Sequence, residues 1–214
     1  MQRGFGLEIP ETLEEICRPE RMALIVYDMQ VGILRQLPTA AAVTARVLRV
    51  LAAARTGGYR IFHTRHMSLP NEVAGVVQLR TAMAWQRARL DQVKPAFLRD
   101  SPQFQLIPEI RPRPTEAIFD KITLSCFVGT PLDLALRDCG IIAFAIVGVA
   151  LEVGIEPSVR HAADLGYIPV VVQDACGGRD EAGMQRALAG VRFSGDAMLT
   201  ESETMCRLLE RTNQ

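Results

Sequence analysis

Short apolar runs of β type alternate along the chain with helical stretches, and this alternation limits the fold more than any other feature. Strands are expected over 22–27, 59–63, 116–119, 142–147, 168–172 and 197–200. The fourth run is continuously apolar, as in strands that are buried on both faces of a sheet. Because helices join successive strands, the connections are right-handed crossovers and the sequence predicts an α/β fold with a parallel sheet.

Helices are predicted at four places between the strands and once more near the C-terminus. The four cover 39–55, 130–140, 154–165 and 180–189. In the first of them, apolar residues recur with helical spacing, namely Val43, Val47, Val50, Leu51 and Ala54. The second begins with Thr130 and Pro131, a capping residue followed by a proline suited to the first helical turn.

The connection from 67 to 115 has no such pattern and is rich in proline and arginine. Long connections inside a compact domain usually form a lid or a binding loop. We therefore assign this segment to a single domain that covers residues 1–214.

Charge and cysteine usage exclude several classes of protein. Lysine plus arginine number 24, as do aspartate plus glutamate, whereas binding to nucleic acid or to an anionic membrane needs a basic surplus. No apolar run is long enough for a signal peptide or a membrane helix. The five cysteines form no CxxC pair, which favours reduced thiols in the cytoplasm. No glycine-rich phosphate loop follows the first strand, and no cofactor is predicted.

Three positions follow strands at the edge where parallel sheets bind their ligands, namely Asp28, the segment 63–66 and the turn at 148–156. Asp28 ends the first strand, where it either caps the next segment or supplies a carboxyl group for acid–base chemistry. Lys121 follows the third strand, and alone it would be a solvated strand end. The turn at 148–156 follows the fourth strand. We expect Asp28, Lys121 and this turn to converge.

Four motifs in order give these residues more weight. Asp-x-Gln begins at 28, Lys-x-x-x-Ser-x-Phe-x-x-Thr at 121, Gly-Val-x-x-x-Val-x-Ile-Glu at 148 and Gly-Tyr-x-x-Val-Val-Val-x-Asp-Ala at 166. In this order and spacing they resemble the isochorismatase-like (cysteine) hydrolases, which include nicotinamidases, N-carbamoyl amidohydrolases and isochorismatases. The resemblance covers about residues 22 to 176.

The resemblance implies one three-layer α/β/α domain whose six-stranded, mainly parallel sheet has a Rossmann-type outline. It also implies that Asp28 and Lys121 are catalytic. Most members have a nucleophilic cysteine at the start of the helix after the fourth strand, and the motif places Gly154 there. Cys126 cannot take over that position without breaking the register, and we interpret it as a small buried hydrophobe.

Two functions remain open at this point. The first is a hydrolase that acts on a small organic acid without a thiol, with Asp28 as the acid and base and Lys121 as electrostatic support. The isochorismate-cleaving branch also lacks the thiol, which favours a bond of the vinyl-ether type. The second is an amidase scaffold that lost its nucleophile and now binds small molecules or has a structural role. An engineered cysteine-to-glycine change is a further reading.

Several residues are expected to contact the substrate, namely Gln30, Trp85, Val149, Ala150 and Gly154. The resemblance also implies a cis peptide between Val149 and Ala150. The space left by the missing thiol is expected to hold water or part of the substrate. Four arginines are candidates for binding a substrate carboxylate, namely Arg65, Arg80, Arg87 and Arg89.

The remaining polar residues give weaker signals. Nicotinamidases hold a metal with an Asp-x-His segment near His63 and His66, but Thr64 stands where that aspartate would be, so no metal site is predicted. Glu156, Arg160 and His161 are interpreted as a solvated helix face or an interface. Because members of the family commonly self-associate, we predict a homo-oligomer that buries the long connection.

Overall fold

The computed structural model describes residues 1–211, and its centre is a sheet of six parallel strands. The strands are β3 (Met22–Tyr27), β4 (Arg60–His66), β5 (Ala117–Lys121), β6 (Ala143–Val149), β7 (Ile168–Gly177) and β8 (Met198–Thr200). Their order in the sheet is β5-β4-β3-β6-β7-β8. The predicted α/β fold with a parallel sheet is confirmed. A separate antiparallel hairpin, which the sequence did not predict, joins β1 (Gln2–Gly4) to β2 (Leu7–Ile9).

Eight α-helices connect or flank these strands in the described part of the chain. They are α1 (Leu13–Ile16), α2 (Val31–Leu34), α3 (Ala40–Thr56), α4 (Val76–Gln86), α5 (Leu132–Asp138), α6 (Glu156–Asp164), α7 (Glu181–Ser194) and α8 (Ser202–Glu210). A π-helical turn, Leu151–Ile155, leads into α6, and short 3₁₀ turns cover Asn71–Val73 and Leu90–Gln92. Within residues 1–211, no helix has the length and apolar character that crossing a membrane requires.

Two apolar cores separate the sheet from its helical layers. Alternate residues of β3 face opposite sides, so Leu24 and Val26 pack towards α3 and α8, whereas Ile25 and Tyr27 pack towards α5, α6 and α7. All residues of β3 and β6 are buried, as expected for central parallel strands. The predicted apolar stripe of α3 lies in the first core.

Four strands run further than their apolar patterns indicated. β4 continues to His66, β5 to Lys121, β6 to Val149 and β7 to Gly177. The extra residues of β4 and β5 are polar but pair with each other across the ladder, Arg65 with Asp120 and His66 with Lys121. The long connection is also more regular than predicted, because it contains α4 and the two 3₁₀ turns.

A buried ion pair fastens the end of the long connection to α3 and β4. The Arg55 guanidinium donates to both carboxylate oxygens of Glu116, at 2.7 and 3.0 Å, and also to the carbonyl oxygens of Ile110 and Arg111. The His63 imidazole lies 2.8 Å from the same carboxylate. Burial by itself raises the pKa of Glu116, but the hydrogen bonds from Arg55, His63 and the Arg113 amide lower it to about 2.

Glu116→Gln tests whether this carboxylate stabilises the fold through its charge. The native-state pKa lies below the ordinary value of 4.5, so the stabilisation is complete above that pH and is lost as the pH falls towards 2. We expect the substitution to lower the free energy of unfolding by about 3 kcal/mol near pH 7 and by less than half of that near pH 3. Urea unfolding at both pH values, with the exposed Glu72→Gln as control, measures this; an equal loss at both would contradict it.

Candidate active site

A cleft opens at the C-terminal edge of the sheet, where β3, β4 and β5 end and the turn after β6 begins. It encloses about 660 Å³ of empty space, including the solvent at its mouth. Asp28, His66 and Lys121 line its polar part, and Trp85 and Phe97 of the long connection line its apolar part. The structure therefore brings together residues that are far apart in the chain.

Asp28 and Lys121 form a buried ion pair in this cleft. The Lys121 Nζ lies 2.7 Å from Asp28 Oδ2, and the two side chains are 1% and 4% exposed. The Thr64 hydroxyl donates to Asp28 Oδ1 at 2.6 Å, and Lys121 Nζ also donates to the Thr123 carbonyl at 3.2 Å. The Lys121 Nζ also lies 4.3 Å from the centroid of the Tyr27 ring, as in a cation–π pair.

The backbone of Asp28 contributes to this arrangement. Its φ is +47°, in the left-handed region that aspartate tolerates better than most residues. The Asp28 amide donates to both the carbonyl and the hydroxyl oxygen of Thr64, each at 3.2 Å. Through these bonds β4 fixes the direction in which the Asp28 carboxylate points.

His66 lines the cleft, at the edge of the sheet where the segment 63–66 was expected, although the only role considered for it was that of a metal ligand. It shares a face of β4 with Thr64, pairs with Lys121 across the ladder, and its ring contacts Phe97 edge-on at a centroid distance of 5.7 Å. Burial lowers the pKa of His66 below 6.5, and the Lys121 charge lowers it further. The alternation of strand residues could have indicated this position, once β4 was known to reach it.

The His-x-x-His pair does not form a joint site. His63 and His66 are three residues apart in one strand, so their side chains point to opposite faces of the sheet. His63 is bound to Glu116 on the far side. In residues 1–211 no group of three or more His, Cys, Asp or Glu side chains is placed to hold a metal ion.

The turn after β6 has the predicted backbone but an unexpected neighbour. The Val149–Ala150 peptide is cis, as predicted. The amides of Gly154 and Ile155 both donate to the Ala150 carbonyl, at 3.0 and 3.1 Å. A Cβ atom placed on Gly154 would lie 2.7 Å from two ring carbons of Tyr27 and closer still to its hydroxyl oxygen. The expectation that water or substrate fills this space was wrong, because the Tyr27 ring occupies it.

Of the residues expected to contact the substrate, Trp85, Ala150 and Gly154 line the cleft, whereas Gln30 and Val149 do not. The Gln30 amide is fully buried and bonds the backbone of His66, in both directions, and the carbonyl of Phe104. Val149 packs in the core beneath α3. Gln30 thus holds β4 to the long connection. The sequence does not show these hydrogen bonds, so the expected substrate contact was wrong for this residue.

The expected arginines also lie elsewhere. Arg65 is bound to Asp120 at 2.8 Å, with its guanidinium over the Phe104 ring, and neither Arg80, Arg87 nor Arg89 lines the cleft. Arg179, in the loop between β7 and α7, lines it instead. The sequence does not indicate Arg179, because its place at the cleft depends on β7 lying next to β6 in the sheet.

Two further sequence interpretations can be compared with the structure. Cys126 is fully buried, as predicted, and burial raises the pKa of its thiol to about 12. Arg160 pairs with Glu156 on the surface of α6 and reaches Asp196 at 2.7 Å. His161 is not simply solvated, since its Nδ1 lies 3.0 Å from the Ser125 hydroxyl.

Comparison with known proteins identifies the family. The family model of the isochorismatase domain matches residues 22–203. The chain belongs to the isochorismatase family. This confirms the family and the hydrolase class that the four motifs predicted.

Its relatives cover nearly the whole chain. Ureidoacrylate amidohydrolase RutB of Serratia proteamaculans (strain 568) is 26% identical over 220 residues, which cover 95% of this chain and 85% of that protein. A cysteine hydrolase from Pseudomonas syringae pv. phaseolicola 1448A has a TM-score of 0.79 and 22% identity, covering 91% of this chain and 95% of that chain. N-carbamoylsarcosine amidase from Thermoplasma acidophilum has a TM-score of 0.70 and 23% identity, covering 85% of this chain and 96% of that chain. The two structures show a common fold.

The electrostatic coupling inside the cleft predicts how His66 titrates. Its pKa lies below 6.5, so Lys121→Met should raise the midpoint, because it removes a nearby positive charge, and Asp28→Asn should lower it. The chain has three histidines, so proton NMR resolves each ring during a pH titration. Lys94→Met, an exposed change, is the control. A His66 titration midpoint that neither Lys121→Met nor Asp28→Asn changes would show that the ring does not face the ion pair.

Proposed function

We propose that this chain hydrolyses a small organic acid without a thiol nucleophile, using Asp28 as acid and base and Lys121 as electrostatic support. The observation that carries the proposal is the buried Asp28–Lys121 pair in a cleft that contains no thiol. The structure describes all five cysteines, and none of them lines the cleft. A covalent thioester route needs such a thiol within reach of the substrate.

The glycine at position 154, in the motif that begins at Gly148, supports a reaction without a thiol nucleophile. In the resembling family the nucleophilic cysteine stands at the equivalent place, and here the residue is glycine. The named relatives include amidohydrolases, so the scaffold is compatible with amide substrates when a nucleophile is present. Without one, the chemistry that fits the residues is proton transfer followed by attack of water.

A vinyl ether is the bond type that this chemistry cleaves most directly. Asp28 in its protonated form transfers a proton to the terminal vinyl carbon, and the ether carbon becomes an oxocarbenium ion. Water adds to that carbon and returns a proton to Asp28, and the resulting hemiketal collapses to a ketone and an alcohol. Lys121, 2.7 Å from Asp28, stabilises the carboxylate left after proton transfer.

In the substrate-free protein both Asp28 oxygens accept hydrogen bonds, from Lys121 and from Thr64. Asp28 must therefore gain a proton before it can act as an acid.

The cleft lining indicates the class of substrate. Trp85, Phe97 and Leu124 offer apolar surface for the body of the molecule. Arg179 is exposed at the same cleft and is suited to bind a carboxylate. We therefore propose a small organic acid whose scissile bond reaches Asp28 while its carboxylate lies near Arg179.

A second candidate function is a binding protein built on a disarmed amidase scaffold. It is favoured by one observation, namely that Tyr27 fills the space beside Gly154 where an acyl intermediate would form. The buried ion pair argues against it, since a binding scaffold has no need to keep two charges out of water.

Asp28→Asn separates the two functions. Asparagine has nearly the same volume but carries no carboxylic proton, so we expect turnover of vinyl-ether acids to fall by about 10²-fold or more. Mass spectrometry of products from a panel of vinyl ethers and amides measures this, with Asp133→Asn, whose carboxylate pairs with Arg137 on the surface, as the matched control. A parent protein that binds panel members yet converts none would support the binding function.

We also propose that the protein is a cytoplasmic homo-oligomer. Val76, Val77 and Trp85 of α4 are 74%, 78% and 47% exposed, which leaves apolar surface for a second copy to cover. Light scattering at micromolar concentration should give a mass of at least two chains. A mass of one chain would contradict this expectation.

A further inference from the structure

The Tyr27 side chain lies where the side chain of any residue other than glycine at position 154 would be. Two of its ring carbons would be 2.7 Å from a Cβ on residue 154, and its hydroxyl oxygen would be nearer. Real Cβ atoms do not approach neighbours that closely, so a side chain at 154 requires the ring to move. The ring cannot move as a flexible chain end would, because it belongs to a buried residue of β3.

Backbone conformation does not explain the glycine. Gly148, in the same turn, has a φ of +128°, which L-residues rarely adopt. Gly154 is not among the residues of positive φ and lies in the helical turn Leu151–Ile155. Any residue could therefore adopt its backbone conformation, and what demands glycine here is the ring of Tyr27.

Two contacts hold the Tyr27 ring in place. Its hydroxyl donates to the Leu124 carbonyl, and its exposed fraction is 1%. Its face lies 4.3 Å from the Lys121 ammonium, measured to the ring centroid, as in a cation–π pair. Burial raises the pKa of the Tyr27 phenol well above its ordinary value, with a further contribution from Asp28, so the ring stays neutral beside the carboxylate.

We propose that Tyr27 is the specificity-determining residue of this site: it excludes a nucleophilic side chain from position 154 and gives the Lys121 ammonium an aromatic partner. Residues 27 and 154 are then a coupled pair, in which the ring and a side chain at 154 are mutually exclusive. The meaning for specificity rests on the proposed function, because it takes position 154 as the nucleophile position. The steric coupling rests on the geometry alone.

Residues 27 and 154 together determine which substrates can react in the cleft. A thiolate at 154 would lie beside Lys121 and the start of α6, where it could attack an amide carbonyl. With Tyr27 present, this place is taken by an uncharged ring whose hydroxyl donates to the Leu124 carbonyl. Substrates that react through water after proton transfer remain possible, and amides that need a covalent intermediate are excluded.

Urea unfolding tests the coupling without any assay of activity. Gly154→Ala and Gly154→Cys should each unfold at a lower urea concentration than the parent. Adding Tyr27→Val to Gly154→Cys should raise the midpoint above that of Gly154→Cys alone, because the smaller side chain leaves room for the thiol. Tyr27→Phe in the same background keeps the ring and should give no such recovery. Gly190→Ala in α7 is the control, since the Cβ there meets only the end of the Arg160 side chain.

Alkylation of the introduced thiol tests its chemical setting. In Tyr27→Val/Gly154→Cys we expect one thiol to react with iodoacetamide at least tenfold faster than the parent's cysteines, four of which are buried. The pH midpoint of this reaction should lie below the ordinary thiol value of about 8.5 and should rise when Lys121→Met is added. Amide turnover should appear in this double variant and in no variant that keeps the Tyr27 ring.

The outcomes separate this inference from the proposed function. Gly154→Ala and Gly154→Cys proteins as stable as the parent would overturn the coupling, even if the parent cleaves vinyl ethers. A parent inert towards every vinyl ether, together with recovery by Tyr27→Val and not by Tyr27→Phe, would overturn the proposed function and leave the coupling intact. If Gly154→Cys does not give folded protein, the yields of folded Tyr27→Val/Gly154→Cys and Tyr27→Phe/Gly154→Cys are compared. Folded protein obtained only with Tyr27→Val supports the coupling, and no folded protein from either double variant overturns it.

Discussion

The rest of this site depends on one buried ion pair. Asp28 and Lys121, 93 residues apart in the chain, lie 2.7 Å apart with almost no exposure to water. Burying two charges is favourable only if their geometry is good and the remaining donors and acceptors are satisfied, and breaking such a pair by removing one partner costs about 3–5 kcal/mol. Thr64, Thr123 and the Tyr27 ring supply those further contacts. The parallel sheet makes the arrangement possible, because it brings the ends of β3, β4 and β5 to one edge.

Around this pair the cleft combines positive charge with apolar surface. Lys121 and Arg179 are its cationic residues, and the lowered pKa of His66 keeps that imidazole neutral at neutral pH. The substrate proposed above, an organic acid with an apolar body, would meet both features. The Tyr27 ring also leaves no space for a side chain at position 154. The cysteine hydrolase and the N-carbamoylsarcosine amidase compared above share this fold.

Much of the fold and part of the site could be predicted from the sequence. The apolar runs predicted every strand of the sheet, since buried parallel strands have a continuous apolar pattern, and the motifs pointed to Asp28 and Lys121. The predicted strand ends were less accurate. Arg65 and Asp120 are polar, and they pair with each other only when β4 and β5 lie side by side in the folded sheet. Two features of the site depend on how the layers pack across the sheet, and the local sequence pattern does not encode that packing. They are the position of the Tyr27 ring beside Gly154 and the presence of Arg179, instead of Arg65, in the cleft lining.

The central claim is that this family member hydrolyses its substrate without becoming covalently attached to it. Intact-protein mass spectrometry tests this most directly: the parent is mixed with a vinyl-ether acid that it converts and is quenched in acid during steady turnover. The account predicts product in solution and a protein mass equal to that of the unmodified chain throughout. A fraction of protein heavier by a substrate-derived group, rising with turnover and declining as substrate is exhausted, would contradict it.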